Sequence, residues 1–95
     1  MFIHMFSFRW KPDVTEQQKQ RVFAEVSALK DHIPGILDAA AGFNTSPRGH
    51  GYEFGGFMKF SDRAAYEAYN AHPVHQQLLT WLLPLIDPME LDFEL

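Results

Sequence analysis

The chain contains no cysteine. That excludes a disulfide framework, thiol chemistry and any cysteine-ligated zinc site, and it fits a reducing, cytoplasmic setting. Cationic residues are few: eight Lys and Arg against twelve Asp and Glu leave a net charge of −4. The electrostatic footprint of a nucleic-acid binder is therefore missing, and no basic cluster marks a membrane-surface protein. No apolar run approaches the roughly 18 residues that a membrane-crossing helix needs. The apolar start MFIHMFSFRW has no basic leader and carries His4 and Arg9 early. It is predicted to be a strand and not a signal peptide. Glycine-rich phosphate loops and the nucleophile-elbow pattern are absent, and FGGF at 54–57 reads as a strand segment. Without repeats, linkers or low-complexity stretches, the 95 residues are expected to form one domain over 1–95.

What is present is carbon. Apolar residues make up 46% and aromatic residues 15% of the chain, with nine Phe, which rules out disorder. Phe2 to Trp10 alternates, with Phe2, His4, Phe6, Phe8 and Trp10 on one side and Ile3, Met5, Ser7 and Arg9 on the other; this period of two predicts a strand. Thr15 followed by Gln18 is a capping-box pattern that opens a helix. Its apolar stripe is Val22, Phe23, Val26, Leu29 and Ile33, and Pro34-Gly35 ends it. A weak, Ala-rich strand is predicted over 36–45, a loop over NTSPRGHG, and a third strand over 52–60. Ser61 or Asp62 caps a second helix reaching about Asn70, and Pro73 fits the first turn of a short further helix to about Leu83. Pro84 and Pro88 are expected to bracket a turn before a last strand over 89–95, where Met89, Leu91, Phe93 and Leu95 alternate with Glu90, Asp92 and Glu94.

The order β-α-β-β-α-β, with an extra late helix, predicts a ferredoxin-like α+β fold: a four-stranded antiparallel sheet with its helices on one face. The other face would carry Ile3, Met5 and Phe57. An uncovered apolar face is most simply closed by a second copy of the chain, giving a C2 homodimer with the sheets facing each other.

Chemistry concentrates in YNAHPVHQQL, residues 69–78. Tyr69 is either a core aromatic or a proton donor, and helical spacing alone favours the core reading. His72 precedes Pro73 and is expected at a helix C-terminus. His4 strengthens the catalytic reading. If the Phe6 and Phe8 side of the first strand faces the helices, His4 shares an apolar cavity with Tyr69 and His75, where a histidine suits proton transfer near neutral pH. The expected lining of that cavity is Phe6, Phe8, Phe23, Phe54, Gly56 and Met58. Gly56 either leaves room for a ligand or marks a bulge or close contact. Asp92 could orient a histidine, although a solvated carboxylate is the more ordinary reading. A metal site using His72, His75 and His4 is disfavoured because Pro73 keeps the first two off a shared helical face. No metal and no cofactor are expected. His50 and His32 are expected at the surface.

Six segments occur in a telling order: IHMFSFRWKPDVT at the start, IPGI at 33–36, GFNTS at 42–46, GYEF at 51–54, FSDRAAYEAYNAHPVHQQL at 60–78, and LDFEL at the end. Together they resemble the Dabb family of stress-responsive dimeric α/β barrel proteins over nearly the whole chain, the YNAHPVH stretch being the most specific. The resemblance implies a homodimeric barrel with a pocket between sheet and helices in each subunit. Some plant members are polyketide cyclases, whose acid/base pair corresponds here to Tyr69 and His75, with His4 nearby. Those cyclases carry a histidine where this chain has Phe54, a departure that weighs against cyclase chemistry itself. The implied function is cofactor-free lyase or isomerase chemistry on a small apolar carbonyl compound. The alternative is a stress-associated protein whose pocket only holds a ligand or whose Tyr/His cluster is structural.

Overall fold

The computed structural model describes all residues 1–95. In chain order the elements are β1 (Phe2–Trp10), α1 (Glu16–His32), β2 (Asp38–Phe43), β3 (Phe54–Phe60), α2 (Arg63–Ala71), α3 (Pro73–Leu82), a 3-10 turn (Leu83–Leu85) and β4 (Ile86–Glu94). The strands form one antiparallel sheet in the order β2-β3-β1-β4. All three helices pack on one face, which is the ferredoxin-like α+β arrangement.

Local chemistry explains the elements. Alternation in β1 buries Phe2, His4, Phe6 and Phe8 against the helices and turns Ile3, Met5, Ser7 and Arg9 to the open face. Thr15 closes the capping box with Gln18 in both directions, giving the first-turn amides of α1 a partner. Val22, Val26, Leu29 and Ile33 form the buried stripe beneath it. Phe23 lies at the stripe's edge, 37% exposed, and stacks on Phe43. Asp62 caps α2 through the Ala65 amide at 2.9 Å. The core between the layers includes the fully enclosed Phe2, Phe54 and Phe60. Each such phenyl ring contributes about 1.5–3 kcal/mol through burial.

Three strand boundaries differ from the sequence expectation. β2 covers only 38–43, its ladder with β3 running from the Asp38–Lys59 pair to the Phe43–Phe54 pair at the sheet edge. β3 begins at Phe54 and not Tyr52, whose ring instead receives the Arg9 guanidinium at 4.5 Å. β4 begins at Ile86 and not Met89. Pro88, expected in a turn, sits inside β4 opposite Phe8. β4 is an edge strand, where a residue without an N–H is tolerated.

Candidate functional site

The α2–α3 junction is built by His72. Its backbone is extended (φ −64°, ψ 137°), as a residue before proline prefers. Its N–H donates to the Tyr69 carbonyl and ends α2, while its Nδ1 accepts the Val74 N–H at 3.1 Å and caps α3. Pro73 takes the first helical position. One residue thus closes one helix and opens the next, and the sharp corner brings His75 back beside Tyr69 with ring centroids 4.4 Å apart.

His75 has a defined tautomer. Its Nδ1 lies 3.1 Å from the Asn70 carbonyl oxygen, which can only accept, so Nδ1 carries the proton and Nε2 keeps a free lone pair. Gln76 donates to the same carbonyl at 2.6 Å and helps to fix the turn. Burial lowers the His75 pKa below the ordinary histidine value; the Asn70 hydrogen bond opposes it, and the nearby His4 (lowering) and Glu90 (raising) act against each other. The imidazole is therefore neutral at neutral pH. Tyr69 is buried, and burial followed by the neighbouring Tyr66 and Glu90 pushes its phenol well above the ordinary tyrosine value, so it stays protonated. A neutral base and a protonated phenol face one another.

His4 comes from the sheet. It is only 4% exposed, and its ring lies 6.2 Å from Tyr69 and 5.0 Å from Tyr66. Asp92, its cross-strand partner on β4, places Oδ1 2.6 Å from His4 Nδ1. Asp92 is thus not a freely solvated carboxylate. Because a carboxylate accepts, His4 Nδ1 donates, leaving Nε2 for other partners.

These groups border a cavity of about 80 Å³ between sheet and helices, closed on its apolar side by Val26, Leu29, Leu78, Leu82 and Ile86. Of the residues expected there, His4, Phe6, Phe8, Met58, Tyr69 and His75 line it, whereas Phe23, Phe54 and Gly56 do not. Phe54 is enclosed at the far end of the sheet among Phe8, Trp10, Phe23 and Phe43. At Gly56 a Cβ would stand 2.3 Å from the Ala40 carbonyl, so this glycine permits the close approach of β2 to β3. A larger concavity of about 430 Å³ lies on the open sheet face between Met5, Phe57, Met89 and Leu91, but it holds none of these acid/base groups.

Two neighbours escaped the sequence reading. Tyr66 precedes Tyr69 by one helical turn on α2, and its phenol is raised by burial, countered by an Asn70 hydrogen bond, with Asp92 and Glu90 adding to the rise. The i, i+3 tyrosine spacing was the available signal. Glu90 lines the cavity; only its shared strand side with Asp92 hinted at this.

Residues 2–95 match the stress-responsive A/B barrel domain family. The chain belongs to the Dabb family. Among solved structures, a dimeric ferredoxin-like protein of unknown function from Thermobifida fusca is 27% identical, with a TM-score of 0.87 over 99% of this chain and 90% of that one. A Dabb family protein from Mesorhizobium loti is 26% identical, with a TM-score of 0.85 over 99% and 95% of the two chains. The hydroxynitrile lyase of Passiflora edulis shares the fold at 16% identity, with a TM-score of 0.87 over 97% and 90%. No protein of curated function matches the chain. The Dabb fold is therefore established for it, and no helix is long and apolar enough to cross a membrane.

Proposed function

We propose that this Dabb protein performs cofactor-free acid/base chemistry on a small carbonyl compound in the cavity between Tyr69, His75 and His4. The observation that carries this reading is the contact of Tyr69 with His75, whose Nδ1 is committed to the Asn70 carbonyl. His75 Nε2 takes a proton from the carbon beside the carbonyl. The C–H electron pair moves into the C–C bond, and the charge that develops on oxygen is met by the Tyr69 hydroxyl. Return of the proton to a different carbon gives isomerisation; reaction of the enolate carbon with a second carbonyl gives aldol chemistry. Hydroxynitrile cleavage, the reaction in the name of the Passiflora relative, likewise needs one base and yields a carbonyl compound. Asp92 orients His4, which supports the same proton balance from the sheet.

The cavity, at about 80 Å³, is well below the roughly 300 Å³ of ordinary ligand pockets. It suits a molecule of few heavy atoms and not a polyketide. The absence of cysteine supports a reducing, cytoplasmic setting. The same small apolar space favours, as a second reading, a protein that holds such a ligand without turning it over. Exchange of the α-hydrogens of acetone in deuterated water, followed by NMR, separates the two. Catalysed exchange lost in His75→Ala supports the enzyme, and binding without exchange supports the ligand holder. If His75→Ala leaves both exchange and binding intact, the site is wrong.

The protein acts as a homodimer in this reading. Met5, Met89, Leu91 and Phe93 stand exposed on the face without helices, and relatives from Thermobifida fusca and Bacteroides fragilis are dimeric.

A further inference from the structure

Three carboxylates project from the helix-facing side of β4, and they differ in company. Glu94 lies 3.2 Å from Arg63 Nε, and Asp92 lies 2.6 Å from His4 Nδ1. Glu90 takes part in none of the four ion pairs of the protein. It is also the one carboxylate among the residues that line the cavity, where no Lys or Arg accompanies it. Its cross-strand neighbour is Phe6, so it has carbon on the sheet side. An uncompensated negative charge at the edge of an apolar cavity repels anions and leaves neutral molecules unaffected.

We infer that Glu90 is a specificity-determining residue that reserves the cavity for uncharged carbonyl compounds and excludes carboxylates and other anions. The inference rests on the cavity being the ligand site, as proposed above. Glu90 acts by its field and not by touching the reacting atoms. That field also reaches the site: after burial and nearer groups, the Glu90 charge adds to the rise of the Tyr69 and Tyr66 phenols and works against the burial that lowers His75. Its side chain is exposed on an edge strand, so its replacement by the isosteric amide leaves packing in place.

Acetamide and acetate make a matched test pair: equal in size, both carbonyl compounds, one neutral and one anionic. The His75 imidazole resonance is followed by NMR while each is added at equal ionic strength and about pH 8, where acetate is ionised and His75 is neutral. Acetamide should bind about tenfold more tightly than acetate, and the gap should shrink to about twofold in Glu90→Gln. Acetate binding as well as acetamide, or a gap unchanged in Glu90→Gln, would overturn the role of Glu90 and leave the cavity reading standing. Failure of both probes to move His75 would overturn the cavity reading together with the inference. A measurement without ligand supports the same conclusion: the titration midpoint of His75 should fall in Glu90→Gln. An unchanged midpoint would show that the Glu90 charge does not act on the site.

Discussion

At the scale of single residues, the site depends on groups held in one protonation state by their surroundings. The acid limb of kcat/KM reports the base in the free enzyme. Because burial lowers the His75 pKa from 6.5, that limb should fall below pH 6.5. The Tyr69 phenol is raised from 10.0, so the alkaline limb should fall above pH 10. A pH profile with its acid midpoint at or above the ordinary histidine value would contradict His75 as the base. The same shift links to stability. The unfolded chain binds the His75 proton first as pH falls, so stability is full above the unfolded value of 6.5 and is lost as pH falls through the lower folded value. His75→Gln should blunt that loss in denaturation curves measured across this range. Tyr69→Phe keeps the ring packing and removes only the donor, so turnover should drop by about 10²-fold or more with little change in Tm.

At the scale of elements, the capping residues carry the architecture that aims the site. Replacing Thr15 by Ala removes the amide partner at the start of α1 and should cost about 1 kcal/mol in urea unfolding. His72 holds the more consequential cap, since the corner between α2 and α3 sets the distance from Tyr69 to His75. His72→Asn offers a side-chain oxygen in place of Nδ1 and should retain stability, while His72→Ala should lose about 1 kcal/mol and reduce turnover as the corner loosens. In the sheet, Gly56→Ala should destabilise by about 1–3 kcal/mol, because its methyl group meets the backbone carbonyl of Ala40 and not a movable side chain. Turnover in a folded Gly56→Ala protein should be nearly unchanged, since Gly56 does not line the cavity.

At the scale of the whole molecule, the sheet has one finished face and one open one. Leu91 is 59% exposed there, beside Met5 and Met89. A contiguous apolar patch on a small domain marks an interaction surface, and a face with a two-fold partner closes without leaving further edges. Light scattering should give twice the 11.0 kDa mass of the chain, and Leu91→Asp should return it to the monomer value. A wild-type monomer at micromolar concentration would remove the sheet-to-sheet dimer.

Alternation of side chains along β1, the Thr15 capping box and the Pro73 corner were legible in the sequence because each depends on neighbours a few residues away. Period and capping are local, so strand, helix and order followed from them. The side chains of β4 were not assignable by the same means. For Asp92 the sequence allows an orienting role beside a solvated one, and for Glu90 and Glu94 it shows only a polar row, because no local pattern says which histidine lies opposite which carboxylate. The pairing of residues 88 positions apart in the chain was decided by the sheet order. Phe54 and Gly56 show the same limit: they share a strand side with Met58, yet only Met58 reaches the cavity, since Phe54 packs among Phe8, Trp10, Phe23 and Phe43 and Gly56 lies against the β2 backbone. The sequence by itself determined the elements, their order and the chemistry available at 69–75. Tertiary structure alone decided which carboxylate meets which histidine and where the cavity ends, since those depend on long-range register and packing that no local pattern encodes.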